Sequence, residues 1–273
     1  MKKVSIIIPT KNEEAHIGTL LKSIQTQTYS AIETIIIDNR SSDRTVDIAS
    51  QFHVIVLKQG PERSSQRNFG AQKAKGEYFL FLDADMKVLP GVVDECVQQM
   101  STKAYNALVI PEKSIGTGFW AQCKALERSF YEGIDWMEAA RFYKKDVFLK
   151  LHGYDESLTG PEDFDLPQRL KERYGAQSIG RISTYLYHDE GEFSLWSSLR
   201  KKFYYGKKMH VYLQKSVNVH AGLKQGSIIA RFALYFSNPR KLFRHPIIGV
   251  GMLAMKLGEM VALSLGYIVG LSK

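Results

Sequence analysis

Short apolar runs recur along the first half of the chain, and each closes on a cluster of polar residues. Residues 4–8 (VSIII) end at Pro9-Thr10, and this predicts a first strand. Residues 14–25 then carry Ile17, Leu20, Leu21 and Ile24 on one helical face. "IETIIID" predicts a second strand, followed by a polar loop that opens a helix near Arg44. "HVIVLKQ" reads as a third strand, "SSQRNFGAQKA" as a helix and "YFLFLD" as a fourth strand. Strand and helix alternate, and the strands are apolar throughout rather than on alternate positions. That pattern predicts an α/β protein with a mostly parallel sheet covered by helices on both faces.

Further on, "GVVDECVQQM" predicts a helix, "ALVIPE" a strand and "GFWAQCKALERSFYEG" an aromatic-rich helix. Gly160-Pro161 marks a turn, and the acids after it suit the first turn of the next helix. "RISTYLYHDEGEF" reads as a late strand ending at His188. A basic, aromatic stretch follows, "LRKKFYYGKKMHVYLQK", and then two apolar segments, "SIIARFALYF" and "PIIGVGMLAMKLGEMVALSLGYIVGL".

Charge divides the chain unevenly. The net charge is +9, yet residues 199–273 hold thirteen Lys/Arg and one acid, Glu259, while residues 1–198 are net −3. The expected organisation is a globular domain over 1–198 and a basic, aromatic and apolar helical extension over 199–273. Such an extension suits an anionic surface. Cys96 and Cys123 are not in metal or redox spacing and read as reduced thiols. The apolar run near the N-terminus is too short for a signal sequence and reads as the first strand. No internal period is present.

In open parallel sheets, ligands lie beyond the carboxyl ends of the strands. Pro9-Thr10-Lys11-Asn12-Glu13, the loop from Asp38 through Ser41 to Asp43, and Asp83-Ala84-Asp85 all fall at such ends. Strand alternation would turn Asp83 and Asp85 to the same side. Two hard oxygen donors there suit Mg²⁺ or Mn²⁺, completed by phosphate oxygens and water. Paired aspartates that merely cap a turn are the plainer alternative.

"IIIPTKNEE", "IIIDNRSSDRT", "RNFG", "FLFLDAD", "GYDESLTGPEDFDL" and "YHDEG" occur in this order and at these spacings. Together they resemble the inverting family 2 glycosyltransferases of GT-A fold, over about residues 4–190. The resemblance implies that Asp83-Ala84-Asp85 is the family's metal-binding Asp-x-Asp. Asp85 would ligate a cation on the diphosphate of a nucleotide sugar, and Asp83 would face the ribose or a metal-bound water. Asp38 would meet the base, with Pro9, Thr10, Glu13 and Ser41 lining the same pocket. Glu162-Asp163 matches the family's Glu-Asp pair, and Asp163 would be the general base. Asp165, in the first helical turn, reads as a helix cap, and His188 matches a C-terminal metal ligand. Arg67, and less closely Arg63, would sit near the phosphates. Two departures from the family pattern bear on specificity. Ala139 and Ala140 stand where many relatives have a glycine-rich stretch, and Gln168-Arg169-Leu170 lacks the tryptophan of processive synthases.

The extension adds an expected location. Residues 247–271 are mostly apolar and long enough to span a bilayer, but Lys256 and Glu259 interrupt them. An interfacial or re-entrant helix fits better than a single span, with the Lys/Arg cluster meeting anionic headgroups. A helical homodimerisation element is the alternative. The expected protein is thus a metal-dependent glycosyltransferase on the cytoplasmic face of the membrane. It would use a UDP- or GDP-linked sugar and a lipid-linked, glycan or other membrane-proximal acceptor. A polyprenyl-phosphate sugar synthase is the variant within this class. A nucleic-acid-binding protein is the rival outside it, opposed by the nearly uncharged final third of the extension.

Overall fold

The computed structural model describes residues 1–158, 160–215 and 227–271. The parts of the basic extension at 216–226 and 272–273 lie outside the described residues. Contacts group the chain into two units that interleave along the sequence. The first comprises Met1–Glu112, Ala139–Glu156 and Glu162–His188; the second comprises Lys113–Glu138, Ser157–Pro161 and Asp189–Lys273.

The first unit begins with β1 (Val4–Thr10), α1 (Ile17–Gln25), β2 (Ile32–Asp38), α2 (Thr45–Ala49), β3 (Ile55–Lys58), α3 (Arg63–Lys73) and β4 (Tyr78–Phe81). After β4 come β5 (Met86–Val88), α4 (Val92–Thr102) and β6 (Ala107–Val109), and β7 (Glu112–Thr117) opens at the end of this segment. Beyond α5 (Phe119–Ser129) the unit resumes with β8 (Ala140–Lys144), α6 (Lys145–Lys150), α7 (Glu162–Tyr174), β9 (Ile179–Arg181) and the start of β10 (Leu186–Glu192). The main sheet has seven strands in the order β3-β2-β1-β4-β8-β6-β9. β8 pairs antiparallel with both β4 and β6, and the other pairings are parallel. A mostly parallel sheet results, as the apolar runs predict. A second sheet runs β5-β10-β7. β5 and β7 were not foreseen: each is too short or too polar to announce itself by pattern.

Alternation within the strands sends side chains to two cores. Val4, Ile6, Ile8, Ile36 and Leu80 pack on one side with Ile17, Leu20 and Leu21 of α1. Ile7, Ile35, Ile37, Phe79 and Phe81 pack on the other with Ala71 of α3 and Leu166 of α7. The strands are buried on both faces, which explains why their apolar residues are continuous. Gly70 allows α3 to lie close on the sheet, since a Cβ there would sit 2.5 Å from Cγ2 of Ile7.

The second unit is helical around α5, with α8 (Leu195–Lys215), α9 (Ile228–Phe236), α10 (Pro239–Leu242) and α11 (Pro246–Leu271). Cys123, Phe130, Tyr235, Leu242, Met252 and Met255 form its core. Gly206 and Gly266 bring α8 and α11 into close contact, because a Cβ on either would collide with the backbone of the other helix. The two charges that interrupt the apolar run of α11 face inward. Lys256 Nζ lies 2.6 Å from Glu127 Oε1 and 3.0 Å from Glu259 Oε2, and Lys124 Nζ lies 2.7 Å from Glu127 Oε2. Ser198 donates to Glu259 at 2.6 Å, and Tyr131 hydrogen-bonds to Glu127. Burial opposes ionisation of Glu127, but Lys124 and Lys256 outweigh it and hold the carboxyl well below the usual range.

Candidate active site

At the rim of β1 and β2, Thr10 and Asp38 are register partners at the two strand ends. The Thr10 hydroxyl donates to Asp38 Oδ1 at 3.0 Å, and the Ser41 amide and hydroxyl donate to the same carboxylate at 2.8 and 2.6 Å. Asp38 is 1% exposed. Its carboxylate thus ties the two strand ends to the loop that follows β2. Pro9 lies in β1 beside Thr10, and the Glu13 amide donates to Thr45 Oγ1 at 2.7 Å. From α3, the Gln66 amide joins this rim by donating to the carbonyls of Thr10 and Ile37.

Arg67, the next residue of α3, is 0% exposed. Its Nη1 lies 2.7 Å from Asp163 Oδ1 and its Nη2 2.7 Å from Asp83 Oδ1. The guanidinium also lies over the Tyr154 ring, 5.1 Å from its centroid. Asn68 holds the Tyr154 backbone: its side chain donates to the Tyr154 carbonyl and accepts from the Tyr154 amide, at 2.8 and 2.9 Å. "RNFG" therefore has a physical reading, with Arg67 bridging two carboxylates, Asn68 holding Tyr154 and Gly70 admitting the helix to the sheet. Burial works against ionisation of Asp83, yet Arg67 and Arg141 outweigh it and hold this carboxyl well below the usual range.

β4 stops at Phe81, so Asp83-Ala84-Asp85 lies in the turn before β5 rather than at a strand tip. Strand alternation does not govern the pair here, and the two carboxylates face different partners. Asp83 meets Arg67 and, at 3.4 Å, Arg141. Asp85 Oδ2 lies 3.2 Å from His188 Nε2. His188 sits opposite Met86 in the β5–β10 pairing, which brings it beside Asp85. β10 continues past His188 to Glu192, so the strand does not end at the histidine as the sequence suggested.

Glu162 and Asp163 open α7. Arg63 Nη2 lies 3.0 Å from Glu162 Oε1. Burial, and then the neighbouring Asp163 charge, raise the Glu162 carboxyl. Asp165 pairs with Arg169 four residues on, at 2.6 Å, and Arg169 in turn donates to the carbonyls of Leu151 and Gly153. Asp165 thus anchors the turn that leads to Tyr154.

Two residues that sequence reasoning missed complete the array. Arg141 on β8 places Nε 2.5 Å from Glu112 Oε1, and Glu112 Oε2 lies 3.5 Å from His188 Nδ1. Charged groups therefore alternate without a break from Asp163 through Arg67, Asp83 and Arg141 to Glu112, and the His188 imidazole lies between Glu112 and Asp85. No local pattern marks Glu112 or Arg141, because their partners come from distant strands.

Among the described residues, no group of three or more His, Cys, Asp or Glu is placed to hold a metal ion. The Asp85–His188 pair nevertheless fits a divalent cation in part. Its two donor atoms stand at about the edge length of an octahedral shell, ~3 Å for metal–ligand distances near ~2.1 Å. The carboxylate suits Mg²⁺ or Mn²⁺, and the imidazole is the softer of the two donors. The remaining positions would fall to substrate oxygens and water.

Residues 5–155 match the model of Glycosyl transferase family 2. The chain belongs to this family. It is 27% identical over 230 residues to the GalNAc(5)-diNAcBac-PP-undecaprenol beta-1,3-glucosyltransferase of Campylobacter jejuni, covering 78% of this chain and 65% of that one. A further relative, an uncharacterized glycosyltransferase of Haemophilus influenzae, is 29% identical over 180 residues, 61% of each chain. The chain thus spans less than two thirds of the length of these curated relatives. Its fold is also similar to that of the mannosyltransferase PcManGT from Pyrobaculum calidifontis, solved with GDP-Man and Mn²⁺. That likeness has a TM-score of 0.64 at 14% identity and covers 99% of this chain and 87% of that one. The family 2 fold here is GT-A, with the helical extension following β10.

Proposed function

We propose that this family 2 chain is a metal-dependent, inverting glycosyltransferase that moves a sugar from a nucleoside diphosphate to a lipid-linked or membrane-proximal acceptor. The observation that carries this reading is the continuous array joining Asp163 to the Asp85–His188 pair. It supplies a carboxylate that can take a proton and, at the other end, donors for a cation. Asp163 would accept the proton of the acceptor hydroxyl as that oxygen attacks the anomeric carbon. Its Oδ1 is engaged by Arg67, so Oδ2 is the oxygen available to the acceptor. Arg67 would keep this carboxylate oriented. Asp85 and His188 would hold Mn²⁺ or Mg²⁺, which when bound neutralises charge on the departing diphosphate. The rim built by Pro9, Thr10, Glu13, Asp38 and Ser41 would receive the nucleoside.

Incubation with a panel of UDP- and GDP-sugars and Mn²⁺ tests this. One donor should be consumed, with loss of activity on chelation and in Asp85→Ala. Failure to consume any donor in the presence of acceptor extracts would overturn the reading.

The acceptor class draws on two features. The C. jejuni relative is named for a polyprenol-linked glycan. In this chain, α11 is long and apolar enough to cross a membrane. Its charged residues are buried against α5, while Ile247, Val250, Leu257, Val261, Leu265 and Ile268 are exposed at three- and four-residue spacing. With the exposed Ala254 bridging Val250 and Leu257, that is one apolar stripe, flanked by the exposed Arg240 and Arg244. A helix packed on one face and apolar on the other suits lying in the bilayer surface rather than spanning it. Segment 199–273 is accordingly the proposed membrane-association segment that follows a catalytic domain over 1–198.

Flotation with anionic liposomes checks the stripe. The full chain should float at low salt and less at high salt. The double substitution Leu257→Glu/Leu265→Glu, at positions 58% and 53% exposed, should stay at the bottom of the gradient with its fold intact. Equal flotation of both proteins would remove the stripe from the account.

A further inference from the structure

The proposed cation pair has only one histidine, and an imidazole serves as a donor only when the correct nitrogen is bare and aimed. His188 is half-buried on β10 with a carboxylate at each ring nitrogen: Asp85 Oδ2 at 3.2 Å from Nε2, and Glu112 Oε2 at 3.5 Å from Nδ1. Glu112 is itself fixed. Its other oxygen, Oε1, receives Arg141 Nε at 2.5 Å. Arg141 is fixed in turn, because it is buried on β8 and its Nη2 faces Asp83 Oδ2 at 3.4 Å. The three elements come from separate parts of the chain, so this order is a property of the fold and not of one loop.

We propose that Glu112, held by Arg141, is the positioning residue that orients His188, keeping Nδ1 as the protonated nitrogen and turning Nε2 toward the cation shared with Asp85. The inference rests on the cation reading of Asp85 and His188 made above. Metal-binding imidazoles commonly give their second N–H to a carboxylate, which sets both ring orientation and basicity, and loss of that partner weakens metal binding by about 10–100-fold. Glu112 stands where such a partner has to stand. Asp83 does not, because its two oxygens face Arg67 and Arg141. Glu112 therefore acts through His188 and is not expected to touch the sugar or the diphosphate.

Glu112→Gln is the informative substitution. The amide oxygen can still accept from Arg141, so the strands remain tied, while the carboxylate facing Nδ1 is lost. Mn²⁺ binding would be followed by electron paramagnetic resonance, with Mn²⁺ alone and with added UDP or GDP, in the wild type, Glu112→Gln, His188→Ala and Asp85→Ala. Pulsed measurement of ¹⁴N coupling to the bound Mn²⁺ reports whether an imidazole is a ligand. The expected result is ¹⁴N coupling in the wild type that disappears in His188→Ala. In Glu112→Gln, Mn²⁺ affinity should fall about 10–100-fold and the coupling should weaken, with little change in melting temperature.

Unchanged affinity and coupling in Glu112→Gln, against clear losses in His188→Ala, would overturn the role of Glu112 and leave the cation site standing. Weakened affinity with full ¹⁴N coupling and a lowered melting temperature would also overturn it, since Glu112 would then be bracing the strands and not the ring. A wild type that binds no Mn²⁺ in any arm would remove the cation site itself, and the orientation argument with it.

Discussion

Asp163→Asn is expected to lower sugar transfer by about 10²–10⁴-fold while leaving donor binding near the wild-type value. The separation follows from the geometry. Arg67 Nη1 donates to Asp163 Oδ1 at 2.7 Å, and the asparagine carbonyl can accept the same bond. Arg67 therefore stays in place, Asp83 keeps its partner, and the Asp85–His188 pair is untouched. What is lost is an ionised oxygen able to take a proton. Steady-state kinetics with saturating donor and acceptor would show the fall in kcat, and calorimetric titration of the nucleoside diphosphate with Mn²⁺ would show preserved affinity. Asp165→Asn is the matched control, since Asp165 is committed to Arg169. Near-normal turnover in Asp163→Asn would move the base elsewhere, with Glu162 next in line.

Lys256→Met should destabilise the helical unit by about 3–5 kcal/mol at neutral pH, the cost of removing one partner from a buried ion pair. Lys256 is 4% exposed and Glu127 1%. With Lys256 gone, Glu127 keeps Lys124 but loses its second cation. The pH dependence has a definite sign. Glu127 in the folded chain is held below its unfolded value, so its contribution is complete above about pH 4.3 and is lost as pH falls toward the folded value. The variant has less of this contribution to lose. The gap between the two proteins is therefore widest near neutrality and narrows in acid. Thermal melts at pH 7 and in steps below pH 4 measure it, and a gap that stays constant or widens down to the folded Glu127 value would contradict the account. Adding Glu127→Gln to Lys256→Met should recover part of the loss, because Lys124, 3.4 Å from Glu259, then has one buried carboxylate to serve instead of two.

The parts of this molecule that were legible in the sequence are those where local pattern and long-range packing agree. β1, β2 and β4 are continuous apolar runs because both faces of the sheet are covered, and their polar ends mark the rim where Thr10, Asp38 and Asp83 lie. The order of the motifs was enough to bring Arg67, Asp163, Asp85 and His188 into one neighbourhood. What was not legible depends on pairing between distant segments. The reversal of β8 between β4 and β6 leaves no trace in "ARFYK", and Arg141 within it reads as any surface arginine. Glu112 likewise follows a proline in an unremarkable stretch. The Asp-x-Asp geometry was misjudged for a local reason, since "YFLFLD" has strand composition to its end but hydrogen bonding stops at Phe81. Lys256 and Glu259 were seen as an interruption of an apolar helix. Their partners Lys124 and Glu127, far away in sequence, turn the interruption into the inner face of that helix.

The position of β8 also bears on how the chain comes off the ribosome. β4 is complete at Phe81, and its neighbour on the far side from β1 begins only at Ala140. At about 5–20 residues per second, this interval lasts on the order of several seconds. Throughout it, the β4 edge presents unpaired backbone groups alongside Phe79 and Phe81, the kind of edge that recruits other strands. β6 emerges in the meantime but pairs with β4 only through β8. The strands before β8 therefore emerge without the partner that closes the β4 edge, and overexpression at high temperature should raise the fraction recovered in inclusion bodies.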